Sequence, residues 1–298
     1  IMKIIDCFMY FDEDMLLDLR LNILNDYVDK FIICEAKYNH KGLPKKLNFD
    51  IEKFKKFKDK IIYISLEEEP SNLQEIHGIE TDHEKNTKIL HNSISRDIFQ
   101  RNFLMTKINE FDENDLILIS DLDEIPNLQN LNIKKINIFC QKMFYYKLNL
   151  LYPNFTWYGT KACKKKYLIN PQWLRSMRSK KYSFWRIDAY FSNKKYININ
   201  FIKNGGWHFT NIKTPEDIHF KMLNFAHYLE YEKSKITLDD LKKKINNHEV
   251  LYDHSLDKSD QNKWKSGSKL DVLDDSLLPL YVKNNKDKYS EWLAKDKV

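Results

Sequence analysis

The run Asp115-Leu116-Ile117-Leu118-Ile119-Ser120-Asp121-Leu122-Asp123-Glu124-Ile125-Pro126 constrains this chain more than any other. A short, continuously apolar stretch with β-branched residues reads as a strand buried on both faces, the habit of parallel sheets covered by helices. It ends in three carboxylates and a proline, so the acids stand at the strand's carboxyl end, the edge where open α/β sheets bind ligands. Closely spaced carboxylates there supply hard oxygen ligands for Mg²⁺ or Mn²⁺, and Asp121 and Asp123 read as a metal-diphosphate site, with a plain polar turn as the competing reading. The chain carries its own comparison. Asp12-Glu13-Asp14 has the same spacing but precedes a helical pattern, where acids simply suit the first turn.

A chain of 298 residues is long enough for one large α/β domain or a core with an appendage. Its formal charge of +6 is spread through a general Lys and Asn bias with no concentrated basic arm, which argues against a nucleic-acid partner. A mildly basic surface suits phosphate-bearing substrates or peripheral contact with an anionic membrane, and charge alone does not choose between them. Cys7, Cys34, Cys140 and Cys163 form no C-x-x-C pair and are expected as reduced thiols. No run reaches the roughly twenty apolar residues that span a bilayer, and the first residues read as a strand rather than a signal peptide, so the expected location is cytoplasmic.

In chain order, Met2–Met9 reads as a strand, 12–27 as a helix and Lys30–Ala36 as the next strand. Glu35, near that strand's end, stands where a first nucleotide contact would lie, with a surface carboxylate as the alternative. A short helix at 50–60, a strand at 61–66, a long loop at 67–86 and a helix at 87–111 continue the β-α alternation, which predicts a parallel sheet. Arg96 and Arg101 on the last helix are placed to reach a diphosphate or to be solvated. Beyond Pro126 the chain turns aromatic and less periodic, through Tyr145-Tyr146, Trp157-Tyr158-Gly159, Trp173 and Trp185. Most of these are expected in a packed core, and Trp157, two residues before a glycine that permits close approach, is reserved for stacking on a sugar ring.

A second site-like stretch is Asn204-Gly205-Gly206-Trp207-His208-Phe209-Thr210, after a strand-like 196–202. The glycines allow a turn at little steric cost and place His208 where an imidazole faces the metal, although a satisfied core histidine fits the same pattern. Thr214-Pro215-Glu216-Asp217 is a helix start with a Thr cap, Pro at the first position and acids in the first turn. Helices follow over 218–231 and 238–253, and the remainder reads as a C-terminal appendage.

Taken together, Asp6-Cys7-Phe8, Arg20 to Asp29, Phe31 to Ala36, Gln100-Arg101, Ile119 to Pro126, Trp157-x-Gly159 and Gly205-Gly206-Trp207-His208-Phe209 with Thr214-Pro215-Glu216-x-Ile218-x-x-Lys221 resemble glycosyltransferase family 17. The resemblance runs with gaps from Asp6 to about Tyr231. It implies an α/β fold of the GT-A type, a Rossmann-like mixed sheet flanked by helices with a helical C-terminal appendage. It further implies a nucleotide-sugar donor, UDP-linked by expectation, a glycan or lipid-linked saccharide acceptor, a divalent Mn²⁺ or Mg²⁺, and inversion at the anomeric carbon. Residues 1–235 would be the transferase domain, with a donor half to about 126 and an acceptor half from 127, and 236–298 a helical extension.

By the same analogy Asp121 contacts the ribose or metal, Asp123 the metal, and His208 is a later metal ligand; Glu35, Arg101 and Lys221 are the residues assigned to the donor, and Trp157 and Trp207 those assigned to the sugar. The base that deprotonates the acceptor hydroxyl is Glu216 by its Pro-Glu motif, with Asp188 as the alternative. Unlike the family's animal members, the chain is expected to lack an amino-terminal anchor, and its Lys/Asn/Ile bias points to a microbial or viral source. Two other readings stay open: a sugar-phosphate nucleotidyltransferase, against which Phe8 to Asp14 carries no glycine for a phosphate loop, and a non-catalytic glycan-binding protein.

Overall fold

A computed structural model describes residues 2–224, 228–257 and 260–295. Its first half is the expected alternation: β1 (Ile4–Tyr10), α1 (Asp14–Leu24), β2 (Lys30–Ala36), β3 (Ile61–Leu66), α2 (Asp82–Phe103), α3 (Met105–Ile108) and β4 (Leu116–Asp121). These four strands are parallel in the order β3-β2-β1-β4. Strand alternation sends Phe8, Phe31, Ile33, Leu116 and Leu118 to one face with the leucines of α1, and Cys7, Ile32, Cys34, Ile117 and Ile119 to the other with Phe99, Phe103 and Leu104. Leu116 to Ile119 are wholly buried, which is why a central strand can carry acids at its tip without fraying. The 50–60 segment contains a 3-10 helix at Ile51–Phe57. The long helix starts at Asp82, five residues before the expected start, because Thr81 and Glu84 form a reciprocal capping box.

The aromatic region beyond Pro126 is strand, not irregular layer. After β5 (Glu124–Pro126) come β6 (Ile136–Tyr145) and the 15-residue β7 (Leu150–Lys164), an antiparallel pair, with β7 also antiparallel to β4. Then follow α4 (Pro171–Arg175), α5 (Ile187–Tyr190), β8 (Ile199–Ile202) and β9 (Gly206–Thr210). β8 and β9 both lie parallel to β6, and β9 pairs antiparallel with β5. The result is a ten-stranded mixed sheet ordered β3-β2-β1-β4-β7-β6-β9-β5, with β8 on β6 and β10 (Asp271–Val272) on β7. β5 is last in that order yet follows β4 by two residues in the chain, so the sheet curls back on itself. This mixed, helix-flanked, curled sheet is of the GT-A type.

The remaining helices are α6 (Pro215–Asn224), α7 (Tyr228–Ser234), α8 (Leu238–Asn246) and α9 (Leu280–Asn284). Residues 225–227 of the expected 218–231 helix lie outside the described residues, and the 238–253 helix stops at Asn246. Residues beyond 235 contribute β10 to the sheet and Leu278, Val282 and Tyr289 to the core beneath α1. Tyr145 and Tyr146 are core residues as expected and Tyr152 packs with them, whereas Trp185 is exposed. All four cysteines are free, and among the described residues no helix is long and apolar enough to cross a membrane.

Candidate functional site

The site begins at the turn between β4 and β5. Arg20 of α1 is wholly buried beneath it and uses its guanidinium to fix it. Nε and Nη2 donate to the two carboxylate oxygens of Asp6 at 2.8 and 2.7 Å, Nη1 donates to the backbone oxygens of Asp121, Leu122 and Glu124 at 3.1, 3.1 and 2.8 Å, and Nη2 also donates to Ser120 Oγ at 2.5 Å. The ring of Phe8 lies 4.5 Å from the guanidinium carbon. A planar fork with five N–H groups is the side chain able to serve so many acceptors at once.

Above the turn the carboxylates have separate surroundings. Glu124 is wholly buried and accepts from Trp157 Nε1 at 2.6 Å, from both Arg175 Nη atoms at 2.6 and 2.7 Å, and from the Asp121 backbone N–H at 3.0 Å. Asp121 accepts from Arg175 at 2.8 Å and from Arg101 at 3.3 Å. Burial raises the cost of its charge, but Arg175 and Arg101 outweigh that and hold the carboxyl below its ordinary value. Asp123 is likewise penalised by burial and more than compensated, chiefly by His208, whose Nε2 lies 3.5 Å from its Oδ1. The imidazole stacks on Trp157 with ring centroids 4.5 Å apart.

Asp121, Asp123, Arg101 and Lys221 share a cavity of about 390 Å³ with Glu13, Tyr38 and His40, a volume in the range of small-molecule sites. Lys221 pairs with Glu13 at 3.6 Å, and although burial opposes its charge, Glu13 and Asp123 raise its pKa. His40 is pushed down by burial, which keeps the ring neutral. Among the described residues two buried polar atoms of the cavity wall, His40 Nδ1 and Arg101 Nε, have no protein partner, and neither has Nδ1 of His208, whose Nε2 faces Asp123. Unpaired buried polar groups are costly, and several in one place mark where a ligand's polar atoms fit.

The donor set fits a divalent ion bound through few protein ligands. The Asp123 carboxylate and His208 converge with only a long contact between them, whereas both oxygens of Asp121 are taken by arginines. Among the described residues no group of three or more His, Cys, Asp or Glu side chains is gathered for a metal. Mg²⁺ at nucleotide sites is held through one or two carboxylates with the rest of its shell left to water and phosphate, and Asp123 is the carboxylate that would serve here, with the His208 imidazole beside it.

The family profile described as Glycosyltransferase family 17 matches residues 1–294. The chain belongs to glycosyltransferase family 17. It is 22% identical over 240 residues to the human β-1,4-mannosyl-glycoprotein 4-β-N-acetylglucosaminyltransferase, a match covering 73% of this chain and 43% of that protein. The mouse protein of the same name is 23% identical over 240 residues, covering 73% of this chain and 42% of the relative. The chain thus spans less than half the length of the curated relatives it matches. No solved structure matches it at a significant level.

Within this family 17 chain the structure brings Asp121, Asp123, His208, Trp157, Arg101 and Lys221 together. It does not bring the others. Glu35 is wholly buried beside the cavity wall, and its carboxylate is consumed by Lys45, the backbone N–H groups of Asn48 and Phe49 at 2.8 and 3.1 Å, and Tyr63 Oη at 3.1 Å, so it fixes a loop. Trp207 points away from His208, as alternation on β9 requires, and donates to the Leu277 carbonyl at 2.6 Å. Glu216 is exposed and paired with Lys242 at 2.7 Å, and Asp188 is exposed and paired with Arg186 and Lys195 at 2.7 and 2.5 Å. Neither lines the cavity.

The glycines act through close approach more than through turn formation. A Cβ on Gly205 would meet Cys140 N at 2.6 Å, and one on Gly206, whose φ is +115°, would meet Ile125 O at 2.2 Å, so only glycine lets β9 lie against β5. Arg20, Arg175 and Glu13 are site residues that sequence reasoning did not assign. Arg20 had a signal, since it and Asp6 both fall in the family-like segments. Arg175 had none.

Proposed function

We propose that this chain is a metal-dependent, inverting glycosyltransferase that moves N-acetylglucosamine from a UDP-sugar to a hydroxyl of a glycan or lipid-linked saccharide. The observation that carries the reading is the open pair of Asp123 and His208 beside a cavity walled by Arg101 and Lys221. The names of the relatives supply the sugar, and Mn²⁺ or Mg²⁺ suits the ligands.

In this reading Asp123 and His208 would hold the ion, which would supply positive charge against that developing on the departing diphosphate. Lys221 and Arg101 add positive charge along the same wall and keep the diphosphate oriented. Arg20 fixes the backbone from Asp121 to Glu124, so that the Asp123 carboxylate needs no reorganisation when donor binds. Neutral His40 and the free Nε–H of Arg101 offer polar contacts to the nucleoside. Glu124, locked by Arg175, anchors the Trp157 indole that backs His208. Inversion requires one displacement, with the acceptor hydroxyl attacking opposite the diphosphate and losing its proton to a base. Glu216 and Asp188, committed to surface ion pairs, are not given that role.

The test is thermal stabilisation of the wild type and of Asp123→Ala by UDP-, GDP-, CMP- and dTDP-sugars, each with Mn²⁺ and with EDTA. A ligand at a hundred times its Kd stabilises by about 2.7 kcal/mol. The expected result is a metal-dependent shift with UDP-N-acetylglucosamine that Asp123→Ala abolishes while the variant still unfolds in one cooperative transition. A wild type indifferent to every nucleotide, or glycan affinity untouched by EDTA and nucleotide, would overturn the reading in favour of a glycan-binding protein.

A further inference from the structure

We propose that residues 178–195 form a docking surface for an anionic lipid bilayer. The segment is an excursion between α4 and β8, closed at its base where the Trp173 indole donates to the Asn193 carbonyl at 2.7 Å and the Arg178 backbone N–H donates to the Lys194 carbonyl at 2.8 Å. Beyond that base, Phe184, Trp185, Ile187, Tyr190 and Phe191 are between 66 and 86% exposed. Large apolar side chains gathered in water at this density mark an interaction surface, not ordinary scatter.

Charge identifies the partner. The segment holds six cations and one acid, a formal +5, so the excess positive charge that the composition suggested was spread along the chain is in fact gathered here. The single acid, Asp188, is already neutralised by Arg186 and Lys195. Arg178, Lys180, Lys181 and Lys194 are exposed, and among the described residues none of them pairs with an acid. Protein–protein interfaces are depleted in lysine at their centres, whereas aromatic side chains interleaved with Lys and Arg are what inserts at the headgroup level of an anionic membrane. Tyr and Trp place a ring in the interface and a polar atom at the water, and the lysine stems lie along the apolar surface while their ammonium groups reach phosphate.

The surface starts three residues after Arg175, the arginine that holds Asp121 and Glu124, so it is joined to the site by a short stretch of chain. The inference does not depend on the transferase reading, because its readout is binding to lipid.

The experiment is co-sedimentation of the full chain with vesicles of phosphatidylcholine alone and of phosphatidylcholine with one third phosphatidylglycerol, at low and high salt. The wild type should bind the anionic vesicles selectively and lose affinity with salt. Lys180→Gln with Lys181→Gln should weaken binding roughly thirtyfold, the effect of two charges near a membrane surface. Phe184→Ser with Phe191→Ser should abolish binding at an unchanged melting temperature. Equal binding to both vesicles, no binding to either, or variants that bind as the wild type does would overturn the proposal. So would a lipid-free wild type that self-associates through this segment, with the serine variant monomeric.

Discussion

Asp6→Asn tests whether the acidic turn is held from below. In the native chain the Asp6 carboxylate receives two charge-assisted bonds from Arg20, at 2.7 and 2.8 Å, with both side chains wholly buried. The asparagine keeps the volume but replaces one acceptor oxygen with an amide donor that faces the guanidinium, and it leaves Arg20 a buried cation with only neutral oxygens around it. Breaking one side of a buried pair costs about 3–5 kcal/mol. Set against a typical total stability of about 5–15 kcal/mol, that is a large share, and it corresponds to a fall in Tm of roughly 10 °C. Thermal unfolding followed by circular dichroism measures it, with Glu52→Gln as the control. Glu52 makes the same type of contact with Lys55 at 2.9 Å, but both side chains are more than half exposed, and such pairs contribute less than about 1 kcal/mol. Hydrogen exchange adds a local readout, since the Phe209 N–H donates to the Asp123 carbonyl at 2.8 Å and should exchange faster once the turn loosens. If Asp6→Asn melts as Glu52→Gln does, the three carbonyls and Phe8 suffice to hold Arg20 and the argument fails.

Arg175→Lys should cost about 2–4 kcal/mol, because an ammonium cannot serve both oxygens of buried Glu124 and Asp121 together, and donor affinity in the thermal-shift assay should fall with it. Gly206→Ala should destabilise by at least about 3 kcal/mol, read from urea unfolding, since the added Cβ must push the Ile125 carbonyl away at a positive φ. His254 is enclosed by Phe155, Trp157 and Tyr252, and burial, reinforced by His208, pushes its imidazole down to about 4. The unfolded ring titrates near 6.5, so between the two values the unfolded chain holds the extra proton and stability is lost as pH falls. His254→Gln should therefore gain on the wild type by about 2–3 kcal/mol as pH drops from about 7 to 4.5, and parallel curves would refute the assignment.

The parallel half of the fold was readable because a strand covered on both faces must be apolar at every position, as Leu116 to Ile119 are. The antiparallel half was not. β7 alternates along its outer stretch from Pro153 to Tyr158 but is continuously buried from Gly159 to Cys163, and neither period covers the whole strand. At the site, residue type and position singled out Asp121, Asp123 and His208, which the fold brings side by side: Asp121 ends β4, Asp123 lies in the turn that follows, and His208 faces that turn from the middle of β9. Glu35 was misplaced by the same logic. A strand end positions the backbone, but the side chain's partners, here Lys45 and Tyr63, come from loops whose course local sequence does not determine. Arg175 lay beyond reach for a related reason, as nothing in Pro171-Gln172-Trp173-Leu174-Arg175 indicates that its helix ends against the acidic turn.

The curl of the sheet bears on the order in which the chain assembles. β4 and β5 are two residues apart in sequence, yet β5 finds its partner only in β9, about eighty residues later, where Glu124 stands opposite His208. The left-hand strands can pair as they emerge, whereas Asp123 and His208 meet only after the β6–β7 hairpin is in place and β9 has closed the seam. Loop-closure entropy makes that contact a late event. The pairing of the acidic turn with His208 is thus a late product of folding, and a nascent chain that ends before residue 208 presents the turn without the imidazole that packs against it.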